Sequence, residues 1–459
     1  MSTAQAGEQI ILKVENLSHK GEGVGRIQGQ VVFVPLAAPG DRVRAKVVEV
    51  RKKYLRAELE EVLSAGESRC QTRCPSLLSC GGCHIQHLDY RHQLEYKTGL
   101  VRESLARIGG LSGVNVLPAI GMENPWHYRN KVRLHAGLRG GKVVLGLYAP
   151  GSHTLGCTLA EDTVCHLLDQ DLNRLALVAG RLLNKYRDDL FRGREGLLHY
   201  ITLRKAAGTG ETMVVLGARK DRWPGQESLV GELAGSGRVT TVVLQRAGGV
   251  DPVGGAQERV LYGRGTITDS LDNLFFRLSA ASFYQVNPVQ TRVLYDQALA
   301  CARLTGREQV LDAYCGVGAI SLYLARRALH VLGMEMSPAA VADARENAAL
   351  NQITNATFLE GEVEKSLPRT LRQGVRPDLL ILDPPRRGCR KPVLDALAAY
   401  PVPRIIYISC DPGTLARDLA ALAGSGYRVD EVQPVDMFPH THHVESIILM
   451  TKCGSEDKK

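Results

Sequence analysis

From residue 281 onward the sequence alternates between strand-like and helix-like segments, and this alternation constrains the fold more than any other feature. Four apolar runs, QVLDAYC, HVLGMEM, DLLILDPP and RIIYISC, are separated by stretches in which apolar residues recur at helical spacing. Strands that alternate with helices are typical of a parallel sheet covered by helices. This part of the chain is therefore predicted to be an α/β domain.

Reactive or polar side chains end three of these predicted strands. Glu335 and Asp383 each end an apolar run, and Cys410 follows RIIYIS. Open α/β sheets bind ligands at the carboxyl ends of their strands, so the three side chains are candidates for one site. After Cys410 an Asp-Pro pair breaks the strand, and TLARDLAALA is predicted to be a helix capped by Thr414. A buried structural thiol is the alternative for Cys410.

A Gly-x-Gly turn follows the first strand of this domain. In VLDAYCGVGAISLYLA, Gly316 and Gly318 let the backbone approach a ligand, and Glu335 lies about 20 residues further on, where an acidic side chain can bind ribose hydroxyls. Ser321 takes the place of a third glycine and Asp312 precedes the turn, which favours a cationic cofactor without a pyrophosphate. S-adenosylmethionine (SAM) is such a cofactor, and a Rossmann-like SAM-binding domain is predicted. The alternative is a tight turn in a sheet that binds no SAM.

The whole chain is moderately basic and has the composition of a globular protein. Its 459 residues suggest two or three domains, and Lys and Arg outnumber Asp and Glu by 57 to 48, a formal charge of +9. That surplus suits a polyanionic partner, but a soluble enzyme can also be basic. No apolar run has the length of a membrane span, and the first residues lack a secretory signal, so a cytoplasmic protein without membrane association is expected.

Two further regions precede the α/β domain. Residues 9–63 show short alternating segments divided by Gly-rich turns, which predict a small β-barrel, and residues 127–280 are predicted to be β-rich. Between them, CQTRCPSLLSCGGC holds four of the eleven cysteines, Cys70, Cys74, Cys80 and Cys83. Without a secretory signal, such clustering indicates metal or iron–sulfur ligation rather than disulfides.

Five successive motifs resemble those of the RNA uracil-5 methyltransferases: FYQVNP, LDAYCGVG, LDPPRRG, YISCDPGTLARDL and DMFPHTHHVESI. The barrel and the cysteines are similar to the iron–sulfur, 23S ribosomal RNA branch of this family, which carries an N-terminal TRAM domain. The resemblance implies three domains: an OB-like TRAM barrel at 1–64, a central β-rich RNA-binding domain with the cluster at 65–93 and 127–280, and a SAM-dependent methyltransferase domain at 94–126 and 281–459.

The resemblance also implies roles for single residues. Cys410 would add to carbon 6 of uracil and activate carbon 5 toward the methyl group, and Glu445 would then remove the carbon 5 proton. The SAM pocket would be lined by Gln285, Tyr314, Glu335 and Asp383. Two of these, Gln285 and Asp383, are also expected to hold the pyrimidine or to stabilise the enolate.

The implied cofactors are SAM and a [4Fe-4S] cluster. The expected cluster ligands are Cys74, Cys80, Cys83 and Cys165. Cys157 is the alternative fourth ligand, and Cys70 is an extra cysteine that could replace one of them. A structural zinc site built from the same thiolates is the other alternative.

RNA is the implied partner, and 23S ribosomal RNA is favoured over transfer RNA, whose enzymes share the catalytic motifs. The target uridine is expected to be flipped into the pocket while the barrel and the middle region grip the RNA. A cytosine-5 methyltransferase is an alternative, although its nucleophile usually follows a proline, where this chain has Ser409. A non-catalytic RNA-binding assembly factor is another. A monomer is expected.

Overall fold

The computed structural model describes residues 5–191, 196–246 and 258–454. The N-terminal part is a closed barrel of five strands in the order β1-β2-β3-β5-β4. Its strands are β1 (Gln9–Leu17), β2 (Gly23–Ile27), β3 (Gln30–Val34), β4 (Arg42–Val50) and β5 (Tyr54–Ser64). Apolar side chains from β1, β3, β4 and β5 fill the interior of the barrel, and closure removes the exposed sheet edges. The predicted barrel is confirmed.

The middle region is built on a seven-stranded sheet with the order β12-β11-β10-β9-β6-β7-β8. Helix α1 (Tyr90–Arg107) precedes it. The elements that follow are β6 (Lys131–Arg139), β7 (Lys142–Tyr148), β8 (Leu155–Thr158), α2 (Gln170–Lys185), α3 (Arg187–Leu190), β9 (Leu198–Lys205), β10 (Thr212–Ala218), α4 (Gln226–Gly235), β11 (Thr241–Arg246) and β12 (Glu258–Tyr262). Helices α2 and α4 bury apolar faces against this sheet, so the region is not purely β.

A short hairpin and a helix connect this sheet to the C-terminal one. They are β13 (Thr266–Leu271), β14 (Leu274–Ser279) and α5 (Pro288–Ala302). The C-terminal elements are β15 (Gln309–Ala313), α6 (Ala319–Ala325), β16 (His330–Glu335), α7 (Pro338–Leu350), β17 (Ala356–Glu360), α8 (Val363–Arg372), β18 (Leu379–Leu382), α9 (Lys391–Ala399), β19 (Arg404–Ser409), α10 (Pro412–Gly424), β20 (Tyr427–Val435) and β21 (Glu445–Lys452).

The C-terminal sheet has the strand order β17-β16-β15-β18-β19-β21-β20. The first five strands in that order are parallel, whereas β21 lies antiparallel to both β19 and β20. Helices and apolar clusters cover both faces, as strands buried on both sides require. The predicted α/β, Rossmann-like fold is confirmed.

Helix α10 starts earlier than the sequence suggested. It begins at Pro412, and its N-cap is Asp411, whose side chain accepts a hydrogen bond from the Thr414 backbone N–H at 2.8 Å. The prediction of Thr414 as the cap was therefore wrong. Proline fits the first helical turn, where no intrahelical N–H bond is needed, so the Asp-Pro pair starts the helix rather than only ending the strand.

The segment after α1 packs along the C-terminal sheet. Val116 forms a parallel bridge with Val432 and Ile120 another with Val435, both on β20. These contacts are consistent with grouping 94–126 with 281–459, but the exact division into domains remains a prediction. Among the described helices, none combines the length and the apolar character needed to cross a membrane.

Candidate functional site

Several candidate residues lie at the carboxyl edge of the C-terminal sheet. β16 ends at Glu335, β18 ends immediately before Asp383, and β19 ends immediately before Cys410. Because these strands are parallel, their last residues reach the same edge. The structure thus places at one edge the three side chains that the sequence grouped by their positions at strand ends.

Glu445 reaches this edge because β21 runs in the opposite direction. Ser446 on β21 pairs with Ser409 on β19, so the preceding Glu445 and the following Cys410 lie on adjacent strands, one residue beyond that pair. Glu445 is 5% exposed and Cys410 is half-buried. A thiol and a carboxyl group therefore lie next to each other in a partly buried region of the site.

Burial holds Cys410 in its thiol form. Burial, followed by the negative charge of Glu445, raises the pKa of Cys410 to about 12, while Arg386 acts in the opposite direction. Cysteine reacts as a nucleophile only in its thiolate form, so a reactive Cys410 would need either the nearby cation or a base.

Arg386 is held beside this corner by helix α10 and by a histidine. Its backbone carbonyl accepts a hydrogen bond from Thr414 Oγ1 at 3.2 Å, and its Nη2 lies 3.4 Å from His443 Nε2. Helix α10 is the helix that follows Cys410, so one element positions both groups. Sequence reasoning did not assign Arg386 a role, although it lies in the quoted DPPRRG motif.

Burial shifts two carboxyl groups of the site, Glu445 and Asp383, toward their protonated forms. Burial, with the charge of Asp383 as a second cause, raises the pKa of Glu445 to about 8. Burial and the charge of Asp312 raise the pKa of Asp383 to about 7. Groups with pKa values near neutrality can exchange protons at working pH, as general acid–base chemistry needs.

The Gly-x-Gly loop forms a cradle next to Glu335. Gly316 and Gly318 have φ values of +55° and +79°, which favour glycine, and a Cβ on Gly318 would lie 3.0 Å from the Phe358 ring. A Cβ on Gly316 would meet no atom within 4 Å, so it would extend into open space. The Glu335 carboxylate accepts hydrogen bonds from the N–H groups of Gly316 at 3.2 Å and Ser337 at 2.8 Å.

A cavity beside this cradle contains most of the remaining candidates. It is lined by residues that include Gln285, Tyr314, Gly316 and Asp383. Asp312 lies on the same wall, and its Oδ1 is buried without a hydrogen-bond partner in the described part of the chain. A polar, cationic ligand would satisfy such an atom, so the cavity fits SAM.

Ser321, which replaces the third glycine of a dinucleotide-binding turn, has a clear role. Its Oγ donates a hydrogen bond to Asp312 Oδ2 at 2.5 Å. Both side chains are buried, so the serine satisfies one oxygen of a carboxyl group that would otherwise lie unpaired in the core.

Five cysteines meet around a second cavity at the junction of the cysteine-rich segment and β8. The lining thiols belong to Cys74, Cys80, Cys83, Cys157 and Cys165. Cys70 is not among them, and its Sγ lies 3.5 Å from the Gln86 carbonyl instead. The structure thus brings together residues that are more than 70 positions apart, and both candidates for the fourth ligand are present.

Within this group, the thiols of Cys80 and Cys157 are hydrogen-bonded to each other. A hydrogen bond with Cys80 lowers the pKa of Cys157 to about 6, and burial raises the pKa of Cys83 to about 12. In the described ranges, no three His, Cys, Asp or Glu side chains are arranged to hold a metal ion. Arg129 also lines the cavity, and its Nε is buried without a hydrogen-bond partner among the described residues. Cysteine is the residue type that holds iron–sulfur clusters and arginine suits their negative charge, but the described side chains are not arranged as a metal site.

Family models match both the N-terminal barrel and the C-terminal part of the chain. Residues 254–453 match the model of the tRNA (Uracil-5-)-methyltransferase family, and residues 4–59 match the TRAM domain. A protein of Listeria monocytogenes described as an uncharacterized RNA methyltransferase is 39% identical over 98% of this chain and 99% of its own. A protein of Halalkalibacterium halodurans with the same description is 40% identical over the same shares.

A solved structure is similar along almost the whole chain. The tRNA (uracil-54, C5)-methyltransferase of Pyrococcus abyssi, solved with S-adenosyl-L-homocysteine, is 26% identical, with a TM-score of 0.74 over 96% of this chain and 100% of that one. Together with the full-length relatives at about 40% identity, this similarity confirms the predicted family. The chain belongs to the SAM-dependent RNA (uracil-5-)-methyltransferases.

Proposed function

We propose that this chain methylates carbon 5 of a uridine in 23S ribosomal RNA, with Cys410 as the nucleophile and Glu445 as the general base. The observation that carries the proposal is their position one residue beyond the Ser409–Ser446 pair, on adjacent antiparallel strands. A nucleophile and a base must both reach a single pyrimidine ring, and neighbouring strand ends allow this.

The chemistry follows from the weak nucleophilicity of carbon 5 in uracil. The Cys410 thiolate adds to carbon 6, and the electron pair of the carbon 5–carbon 6 double bond moves toward the carbon 4 oxygen as an enolate. Carbon 5 then takes the methyl group, and S-adenosylhomocysteine is the leaving group. Glu445 removes the carbon 5 proton, the double bond re-forms, and the carbon 6–sulfur bond breaks to release the thiolate.

The remaining residues bind and orient. When bound, SAM supplies an electrophilic methyl group on a positively charged sulfur. Glu335 and the Gly316 loop would hold the ribose and the methionine part of SAM. The rest of the pocket would be lined by Gln285, Tyr314 and Asp383. Gln285 and Asp383 would also hold the pyrimidine. Arg386 would favour the thiolate of Cys410, since it is the nearby positive charge.

We further propose that Cys74, Cys80, Cys83 and Cys165 bind a [4Fe-4S] cluster. All four line the second cavity beside Arg129, and Cys157, which contacts Cys80, is the alternative fourth ligand. Anaerobic purification followed by iron, sulfide and zinc analysis tests this. A colourless protein that contains zinc but no iron or sulfide would establish the structural zinc alternative.

Transfer RNA is the second candidate substrate. It is favoured by the similarity to the Pyrococcus abyssi enzyme, which acts on a tRNA, whereas the barrel and cysteine cluster favour ribosomal RNA through the resemblance stated above. In both cases the base must leave its stack to reach the half-buried Cys410.

The test is tritium release from RNA labelled at carbon 5 of uracil, in the presence of SAM. Unmodified 23S ribosomal RNA and a tRNA pool are compared, with Cys410→Ala as the control. Release from 23S ribosomal RNA alone, abolished in the variant, supports the full proposal. Release from tRNA alone keeps the mechanism and replaces the substrate. RNA binding without release from either RNA would favour a non-catalytic assembly factor.

A further inference from the structure

The segment between β20 and β21, residues 436–444, ends at the proposed base Glu445. We call it the base loop. Most of its residues are buried, with Asp436, Met437 and Val444 at 0% exposure. Connecting segments normally run over the surface, because buried backbone groups need partners. A loop buried to this extent must be held by contacts from other parts of the chain.

Helix α1 supplies the deepest of these contacts. Lys97 Nζ lies 2.5 Å from Asp436 Oδ1 and donates to the Phe438 carbonyl at 3.0 Å. Tyr90 donates its hydroxyl to Asp436 Oδ2 at 2.9 Å. The side chains of Lys97 and Asp436 are both fully buried. A buried ion pair contributes little net stability compared with apolar packing, so fixing the geometry of the loop is the better explanation for it.

His440 is held in an unusual backbone conformation by contacts with Gln93 and Trp126. Its φ is +67°, a left-handed conformation that costs a non-glycine residue about 1 kcal/mol or more. Gln93 on α1 accepts from the His440 N–H at 2.9 Å and donates to its Nδ1 at 3.1 Å. The ring also stacks on Trp126, with centroids 3.8 Å apart and planes 26° from parallel. Such a conformation persists only where its surroundings impose it.

The cysteine-rich segment provides a third attachment. The backbone N–H groups of His84 and Ile85, which directly follow Cys83, both donate to the His440 carbonyl, at 3.0 and 3.2 Å. The chain that carries the proposed cluster ligands is therefore hydrogen-bonded to the loop that carries the proposed base. This link consists of hydrogen bonds, so it requires neither a covalent bond nor a bound cofactor.

From this arrangement we infer that Gln93 and Lys97 are positioning residues, which act through the base loop to aim the Glu445 carboxylate at the carbon 5 proton. The inference rests on the proposed function, since it takes Glu445 as the base. Removal of the carbon 5 proton follows methyl transfer, and it drives departure of the Cys410 thiolate. Displacing Glu445 should therefore slow the second half of the reaction more than the first.

Because proton removal follows methyl transfer, a misplaced base changes the ratio of adduct to product, whereas a loss of folding does not. When elimination slows, the methylated uracil stays bound to Cys410, and the protein migrates with the RNA on a denaturing gel. A variant that is only less stable forms less adduct and less product together, so its ratio of adduct to product is unchanged.

The experiment uses full-length protein, SAM with a tritiated methyl group, and a pool of unmodified 23S ribosomal RNA and tRNA transcripts. Gln93→Leu removes both hydrogen bonds to His440 and is expected to raise the ratio of methylated adduct to released product about ten-fold. Gln226→Leu is the matched control, because Gln226 is a buried glutamine of α4 that hydrogen-bonds only outside the base loop, and it should leave the ratio unchanged.

Two further variants keep the inference falsifiable if Gln93→Leu folds poorly. His440→Asn tolerates the left-handed conformation and keeps an acceptor for Gln93, so its ratio should stay near that of the parent. The double variant Lys97→Met with Asp436→Asn loses the ion pair without leaving a buried charge, and its ratio should rise.

Glu445→Gln separates this inference from the proposed function. If that variant does not accumulate adduct, the assignment of Glu445 as the base is wrong. If Glu445→Gln accumulates adduct but Gln93→Leu and the double variant keep the parent ratio, the base stands and the positioning role is overturned.

Discussion

Cys410, Glu445 and Asp383 share one property as individual residues: burial raises the pKa of each. The free protein therefore carries a thiol at Cys410 and fractionally protonated carboxyl groups beside it at neutral pH. Such an arrangement is costly for folding and useful for chemistry, because a proton can be gained or lost near the working pH.

The raised pKa of Glu445 predicts a pH-dependent cost in stability. In the folded state this pKa is about 8, against an ordinary value of 4.5. Between these values the folded state binds a proton that the unfolded state does not, so stability falls as pH rises through this window. Glu445→Gln should therefore raise the free energy of unfolding by about 1–3 kcal/mol near pH 8.5 and change it little near pH 5.

Urea unfolding at the two pH values measures this difference. Glu360→Gln is the control, because Glu360 is exposed at the end of β17 and its replacement should have the same small effect at both. An equal gain from Glu445→Gln at both pH values would contradict the prediction, since it would indicate a packing effect rather than proton linkage.

Arg386 is expected to control the reactivity of Cys410. Its positive charge lowers a thiol pKa that burial and Glu445 raise, so Arg386→Gln should slow alkylation of Cys410 by iodoacetamide about ten-fold near pH 8. Mass spectrometry of the Cys410 peptide over time gives the rate. Arg387→Gln removes the neighbouring exposed arginine and should leave the rate unchanged; equal slowing in both variants would point to a general charge effect.

At the scale of the element, the start of helix α10 links stability to the site. Asp411 caps the helix through the Thr414 N–H and directly follows Cys410. Asp411→Ala should lower the free energy of unfolding by about 1 kcal/mol and also slow methylation, while Asp411→Asn should preserve both. Urea unfolding and single-turnover methylation measure the two effects.

The N-cap of α2 offers the corresponding control. Asp169 accepts from the backbone N–H groups of Asp171 and Leu172 in the middle region, so Asp169→Ala should cost stability without slowing methylation. If Asp411→Ala costs stability but methylates at the parent rate, the cap does not position Cys410.

At the scale of the whole molecule, a largely buried ion pair is among the contacts that attach the barrel to the rest of the chain. Arg69 lies 2.7 Å from Asp41, whose side chain is fully buried, and also donates to the Leu36 carbonyl at 2.6 Å. Arg69→Met leaves a buried carboxylate without its cation and should destabilise the barrel by about 2–4 kcal/mol. Hydrogen exchange should then speed up in residues 9–64 but not in β15 to β19.

Arg44→Met tests whether this effect depends on burial. Arg44 pairs with Glu61, but the two side chains are 39% and 54% exposed, and both partners belong to the barrel. Exposed pairs contribute little, so exchange in the barrel should barely change. Uniform acceleration across the whole chain in Arg69→Met would show that the barrel does not unfold as a separate unit.

Local sequence patterns were enough to predict most of the elements that build the site. Spacing and residue propensity within about ten residues predict the three strands that lead to Glu335, Asp383 and Cys410. The same short-range signals predict the Gly316 turn and the N-terminal barrel. The N-cap of α10 was missed by three residues, because both Asp411 and Thr414 are acceptable caps and only the backbone geometry chooses between them.

Taken alone, the sequence determined the parallel α/β core and the barrel, because strand and helix periodicity and turn chemistry are short-range properties. The reactive side chains remain predictions that rest on the resemblance to the family. Only the tertiary structure decided that β21 runs antiparallel to β19 and so brings Glu445 beside Cys410. It also decided that Lys97 pairs with Asp436, 339 residues away. Such contacts depend on how buried elements pack, and a buried charge shows its partner only once the chain has folded around it.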